Sequence, residues 1–508
     1  MGFIDSIKNE LDNEKQLTEN GAVGYRTTGK KLLDLNFSVA SLRSASEQEI
    51  INKFMNAYWE NPELAMRWLF YCRDIRGGLG ERRTFRVVLK NLAQDKPEIV
   101  RSVIKFTAEY GRFDDLWCIL DTDLKNDVLA VVKEQFDVDR TNMRNNAPIS
   151  LLAKWLPSEN ASSAETKRYG TMIREWYGLS HRDYRKMLSE MRKYIDVVER
   201  KMSAKQWGEI NYESVPSRAN LIYNKAFLRN DEERRREYLN ALEKGEVKIN
   251  AGTLFPHDIV HKYMNGNIFI VDVLPTDSAL ESLWKALPNT VQGNDNTIVV
   301  ADGSGSMTCR IDPNSSVTAL DVANALAIYF SERSSGEFKN KYITFSERPQ
   351  LVDFSNAKTL RNKIQIALRH SECAGTNIEA TFDLILRTAV NGNMSQEDIP
   401  KNILIISDME FNAAIGFNKP DETLFATISK KYEKHGYKLP RLVFWNVNSR
   451  TGTIPVKENE LGVALVSGFS VNIVNMVMSD KLDAYECLLD VLNSERYEPI
   501  GEAVRDVM

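Results

Sequence analysis

Asp302, Ser304 and Ser306 alternate along the loop Asp302–Gly303–Ser304–Gly305–Ser306, directly after the apolar run Thr297–Ala301. A carboxylate and two hydroxyls on a loop loosened by two glycines can turn their oxygens to one point. Oxygen donors of that kind suit hard divalent cations, above all Mg²⁺, which keeps several of its waters. The same residues also suit a plainer reading, a glycine-rich turn whose serine caps the next helix. The apolar run, bounded by turn residues, predicts a buried parallel strand. In open α/β sheets, ligands bind just past the carboxyl ends of such strands.

The Asp-x-Ser-x-Ser loop resembles the metal-ion-dependent adhesion site (MIDAS) of von Willebrand factor A domains. That resemblance implies two further oxygen donors from later loops. Ala374–Gly375–Thr376–Asn377 is similar to the family's threonine loop, and the apolar run Asn402–Ser407 ends in Asp408. The implied metal ligands are therefore Asp302, Ser304, Ser306, Thr376 and Asp408, with Mg²⁺ or another divalent cation as cofactor. A donor set made mostly of neutral hydroxyls leaves positive charge and an open position on the cation, which favours an acidic group from a protein partner.

Positioning three such loops takes a sheet with helices, and the rest of the chain must supply a second body. At 508 residues the chain exceeds one ordinary core. With 43% hydrophobic and 27% charged residues it has the composition of a soluble globular protein. No apolar run approaches the ~20 residues that span a bilayer, so no membrane contact is expected. Met1 to Lys15 is polar and acidic, unlike a secretory signal peptide. The five cysteines lack CxxC spacing, which argues against a zinc site or a disulfide framework. They suit a reducing compartment, and the cytoplasm is the expected location. Residues 1–290 carry 44 Lys and Arg against 42 Asp and Glu, and residues 291–508 carry 22 against 28. Neither part has the cationic excess of a strongly basic nucleic-acid binder, so RNA binding would need a local patch.

The chain divides into a polar lead-in (1–46), an all-α region (47–293) and an α/β doubly wound region (294–508). The lead-in is expected as a short helix and then an extended stretch through Gly21, Gly24 and Gly29. From Glu47 to Leu287 the apolar spacing is helical almost throughout, and Pro62 fits the first turn of a helix. Many short paired helices suggest a HEAT-like helical repeat, each pair burying its apolar face on the next. In 294–508, strands and helices alternate, which predicts a doubly wound sheet.

Three stretches of the helical region carry a second resemblance: Arg73–Asp74–Ile75–Arg76–Gly77–Gly78–Leu79–Gly80–Glu81–Arg82–Arg83, Tyr110–Gly111–Arg112–Phe113–Asp114–Asp115–Leu116–Trp117, and Trp207–Gly208–Glu209–Ile210–Asn211–Tyr212–Glu213–Ser214–Val215–Pro216–Ser217. With the A-type region they resemble the Ro autoantigen (TROVE) family, in which a ring of helical repeats is closed by a von Willebrand A domain. The resemblance implies a monomeric ring in a ribonucleoprotein, holding single-stranded ends of misfolded RNA and small noncoding RNAs. On local grounds alone, the glycines make a tight interhelical turn, Arg73 and Asp74 pair locally, and Asp114 and Asp115 cap the next helix. Arg82, Arg83 and Arg86 suit either a solvated face or a phosphate-facing patch.

Between Lys167 and Lys186, cations interleave with aromatic residues, as base stacking with phosphate neutralisation requires. Ser180–His181–Arg182–Asp183 is also similar to a Ro segment facing the hole. Lys167, Arg168, Arg174, His181 and Arg185 are the RNA candidates on that basis. The alternative is that Tyr169, Trp176 and Tyr184 are core, Ser180 caps a helix and His181 is an ordinary polar residue. His257 and His261, four apart on one helix, lack an acidic or cysteine partner nearby in sequence, so a metal pair is not favoured there. Glu410 suits either support of the metal site or an exposed loop position, the latter preferred. With no Walker loop, no GxSxG and only His370 near the metal loops, the chain is expected not to be an enzyme. A protein-interaction scaffold without RNA binding is the alternative function.

Overall fold

A computed structural model describes residues 15–264, 273–291, 296–345, 347–412, 424–455, 463–473 and 483–508. It forms two compact units, one from the described parts of Met1–Glu60 and Leu254–Ser494, the other from Asn61–Thr253 and Glu495–Met508. The division at 293/294 follows the chain, whereas packing draws residues from both ends of the sequence into each unit.

The first unit is built on a six-stranded sheet. Its strands are β3 (Thr297–Asp302), β4 (Lys341–Phe345), β5 (Gln350–Asp353), β6 (Asn402–Ser407), β7 (Arg441–Asn446) and β8 (Val463–Ser467), ordered β5-β4-β3-β6-β7-β8. All neighbours are parallel except β4 and β5, which form an antiparallel edge pair. Every residue of β3 is buried, as expected for a central strand with both faces covered. Helix Ala319–Arg333 is buried along nearly its whole length, so its sequence is apolar all round rather than striped. Thr318 and Asp321 form a capping box that fixes its start. The chain leaves β3 through this helix to β4 on one side, and β6 lies on the other. The gap between β3 and β6 is therefore the topological switch point of the sheet.

A helix at the start of the lead-in would fall before Lys15, outside the described residues, and from Lys15 the chain is extended as expected. Lys15–Leu17 (β1) and Val23–Tyr25 (β2) pair as an antiparallel hairpin, and a helix follows at Lys31–Phe37. Gly21, with φ of +86°, closes the turn, where residues with side chains are strained. The hairpin's anchors lie near residues 410 and 451, too far along the sequence for a local pattern to show. After β8 the chain makes a turn at Val471–Ile473, and the described residues resume at Asp483.

The second unit is helical. Asn61 caps helix Pro62–Arg73 by accepting from Leu64 N at 2.9 Å, with Pro62 in its first turn. Consecutive helices pack on one another, among them Pro62–Arg73 on Arg82–Asp95 and Ser217–Asn230 on Glu232–Lys244. The helical stretch after Asp95 is broken into Pro97–Val103, a 3₁₀ turn at Ile104–Phe106 and Thr107–Tyr110. The glycine turn after Arg73 is as tight as expected: a Cβ on Gly78 would stand 2.0 Å from the Tyr71 carbonyl oxygen. Its ion pairs, however, are not local. Arg73 Nε bonds Asp115 Oδ2 at 2.7 Å with both side chains buried, and Asp74 pairs with Arg496. The stretches Arg73–Arg83 and Tyr110–Trp117 thus clamp each other through Arg73 and Asp115. Among the described residues, no helix is long and apolar enough to cross a membrane.

Candidate metal centre

Register brings the two acids together. Ala301 pairs with Ile406, so Asp302 and Ser407 end adjacent parallel strands, and Ser407 Oγ donates to Asp302 Oδ2 at 2.6 Å. Asp302 Oδ1 accepts from Ser304 N at 2.9 Å, which curls the glycine loop back over the strand end. Ser304 Oγ lies 3.0 Å from Ser306 Oγ, and Ser306 in turn bonds the Asp408 carboxylate. The threonine loop is laid against this loop by two backbone bonds, Cys373 N to Gly303 O at 2.8 Å and Gly305 N to Ala374 O at 3.0 Å. A Cβ at Gly305 would meet Cys373 O at 3.1 Å, so the second glycine lets the loops close up. Thr376 is buried at this junction, and its carbonyl accepts from Asn412 N at 3.0 Å.

All five sequence-predicted ligands therefore sit on three loops gathered at the carboxyl end of the sheet's switch point. Asp302, Ser304, Thr376 and Asp408 are buried and Ser306 is half-buried. Burial holds the Asp302 carboxyl above the usual carboxylate range, against bonds from Ser304 and Ser407. Burial, and then the charge of Asp302, does the same to Asp408. Two buried acids repelling each other beside three neutral hydroxyls make a donor set that fits a hard divalent cation. Among the described residues no three His, Cys, Asp or Glu side chains cluster as a metal site.

Glu410 is not an exposed loop acid. It is fully buried, and its Oε1 accepts from the backbone N–H groups of Arg450 and Thr451, each at 2.9 Å. Its Oε2 accepts from Glu19 N at 2.8 Å. The β1–β2 turn thus reaches the metal loops, where Asn20 Nδ2 donates to Glu410 O at 2.6 Å and contacts Thr376 Oγ1 at 3.3 Å. Asp408-x-Glu410 spacing was the one local hint of this support; Glu19 and Arg450 carry none.

The RNA candidates lie in the helical unit and are mostly engaged. Arg168 forms a two-pronged pair with Asp121 at 2.5 and 2.7 Å. Arg174 Nε and His181 Nδ1 both contact Glu159, at 2.9 Å each. Lys167 and Arg185 are exposed and without an ion pair among the described residues. Arg185 lines a cavity of about 620 Å³ with Lys154, Arg192 and Arg200. Tyr169 and Tyr184 are core, as the plainer reading had it, and Ser180 caps its helix through Asp183 N. Trp176 instead is 37% exposed, and the cavities it lines hold both signs of charge: Lys133, paired with Asp137, beside Glu134 in one, and Lys125 and Arg168 beside Glu175 in the other.

The histidines are engaged in structural bonds. His261 links Asp321 Oδ2 and Ser316 Oγ at 2.9 Å each, bracing the start of helix Ala319–Arg333, while His257 stacks on Phe255. His370 ends helix Leu360–Arg369 with Nδ1 on the carbonyl of Ile366.

These features define a class: an α/β unit with an oxygen-donor site at the carboxyl ends of a largely parallel sheet, carried on one chain with a helical unit. The chain belongs to the family described as "Domain of unknown function (DUF2828)", which matches residues 18–138 and 162–296. A second description, "Domain of unknown function (DUF7788)", matches residues 296–499. The chain is 29% identical over 524 residues to an uncharacterized protein of Acanthamoeba polyphaga mimivirus, covering 95% of this chain and 88% of that protein.

Proposed function

We propose that the protein is a non-enzymatic binding scaffold whose α/β unit is an adhesion-type divalent-cation site of the von Willebrand A kind. The observation that carries this reading is the gathering of Asp302, Ser304, Ser306, Thr376 and Asp408 on three loops at one switch point. These five would hold Mg²⁺ or a similar cation, and the cation would capture an acidic group of a protein partner. Serine and threonine hydroxyls leave much of the cation's charge unneutralised, which is what a carboxylate from outside requires.

The experiment is Mg²⁺ titration of the purified chain by calorimetry, beside Asp302→Ala, followed by partner capture in Mg²⁺ and in EDTA. Saturable binding lost in the variant, and partners retained only with the metal, are the expected results. Binding indifferent to Asp302 would end this reading.

A second reading is favoured by Trp176. In it, the helical unit is a HEAT-like repeat of the Ro type that holds single-stranded RNA, with Trp176 stacking on bases and Lys125, Lys167 and Arg185 meeting phosphates. Fluorescent single-stranded RNA should then bind more tightly than a blunt duplex, with affinity falling as salt rises. Trp176→Ala should weaken it roughly tenfold. Equal affinity for both probes, or no loss in the variant, would remove RNA from the account.

A further inference from the structure

Arg450 stands between two acids. One guanidinium nitrogen, Nη2, contacts both the Glu19 carboxylate and Asp408 Oδ2, the latter at 3.6 Å. Its other terminal nitrogen reaches Cys309 Sγ at 3.3 Å, on the loop that carries Ser304 and Ser306. The backbones of both residues are fixed by one buried carboxylate, since Glu410 accepts from Glu19 N and from Arg450 N. The turn bearing Glu19 is further pinned by Thr18 Oγ1 to Phe411 O at 2.6 Å and by Gln16 Nε2 to Thr451 O at 2.6 Å. A cation on a tethered arm is thus shared between a candidate metal ligand and an acid outside the ligand set.

We propose that Arg450 is the resident counter-ion of the metal site, and that Glu19 receives it when a divalent cation takes Asp408. This inference rests on the adhesion-site reading above. With no divalent ion, the guanidinium offsets part of the Asp408 charge in a site holding two buried acids. A divalent cation satisfies Asp408 more fully and repels Arg450, which shifts its whole weight to Glu19. Because Glu19 sits on the β1–β2 turn, metal occupancy tightens the hairpin on the site. The turn also meets Thr376 through Asn20, so metal and hairpin act on the same loops. The site becomes a cation exchanger, and the N-terminal hairpin is the part that senses the exchange.

The test is Mg²⁺ affinity of the full chain by calorimetry, with amide hydrogen exchange over residues 17–25, in wild type, Arg450→Gln, Glu19→Gln and Arg450→Lys. Arg450→Gln removes the competitor and should raise Mg²⁺ affinity about tenfold, the scale of one unit charge near 4 Å in a partly exposed site. Glu19→Gln leaves Arg450 to Asp408 alone and should lower the affinity several-fold. Arg450→Lys keeps the charge and should stay near wild type. Mg²⁺ should slow exchange in the wild-type hairpin and not in Glu19→Gln. A merely structural role would push Arg450→Gln and Glu19→Gln in the same direction, and that result overturns the proposal. So does a hairpin indifferent to Mg²⁺ in a chain whose metal binding depends on Asp302. If the wild type binds no Mg²⁺, the adhesion-site reading itself falls and takes this one with it.

Discussion

At the scale of single residues, the proposed metal centre would set stability against binding. Asp302 and Asp408 are both buried, and each makes the other's charge harder to hold. Such a pair weakens the metal-free fold and strengthens cation binding by the same repulsion. Asp302→Asn keeps an acceptor for Ser304 N while removing one charge. The metal-free variant should be more stable than wild type by about 1 kcal/mol, or ~2 °C in melting temperature for a unit of this size. Mg²⁺ should raise the melting temperature of wild type by binding the folded state, and the variant should lose that rise. Thermal denaturation with EDTA and with Mg²⁺ measures both. A variant less stable without metal would mean that Asp302 acts chiefly as a hydrogen-bond anchor for its loop.

At the scale of elements, strand ends were legible and contacts were not. Thr297–Asp302 and Asn402–Asp408 show their role in sequence because an apolar run stopping at an acid is a local pattern. The β1–β2 hairpin is invisible there, since Thr18, Glu19 and Asn20 find their partners about 390 residues away. The partners of the Lys167–Lys186 stretch are equally out of local sight: Asp121 and Glu159, which engage Arg168, Arg174 and His181, lie on other elements. The Arg73 and Tyr110 landmarks make one clamp, with Asp115 held by Arg73 and Arg86 and Asp114 by Arg86 and Arg112. Asp115→Ala leaves a buried guanidinium uncompensated and should cost about 3–5 kcal/mol in urea unfolding. A loss below ~1 kcal/mol would show that the clamp is solvated in solution. Burial opposes the charge on Asp114, but Arg112 and Arg86 outweigh it and hold its carboxyl below the ordinary value. A group lowered in the folded state binds fewer protons there than when unfolded. Its contribution is present above the unfolded value of about 3.9 and is lost as pH falls through the folded one. Asp114→Asn should therefore flatten the acid limb of the helical unit's stability curve, read by circular dichroism from pH 5 down to pH 2.

At the scale of the molecule, neither unit is a continuous piece of chain. The sheet unit takes its hairpin and the helices Lys31–Phe37 and Glu47–Glu60 from the N-terminal side. These are not ornaments: Ser467, on edge strand β8, bonds Ala40 N at 3.1 Å, and Asn446 Nδ2 bonds Phe37 O at 2.8 Å. The helical unit takes Glu495–Met508 from the other end. Tyr497 is buried there between Tyr71 and Tyr110, and helix Glu498–Arg505 lies so close that a Cβ on Gly501 would stand 2.3 Å from the Arg67 guanidinium. Domain boundaries drawn along the sequence at 293/294 would strip both units of parts of their cores. A chain ending at Ser494 isolates one consequence. It keeps every residue of the metal centre and the hairpin, but removes Arg496 from Asp74, Tyr497 from its aromatic neighbours and Glu498 from Arg67. The helical unit should then unfold at lower urea, by several kcal/mol for an aromatic core residue and two ion pairs lost together. Mg²⁺ affinity should stay within about twofold of the full chain, because sites in separate units couple weakly. Unchanged helical stability would show that the C-terminal helix docks only loosely. Loss of Mg²⁺ binding with the sheet unit still folded would mean that the two units share the metal site's support.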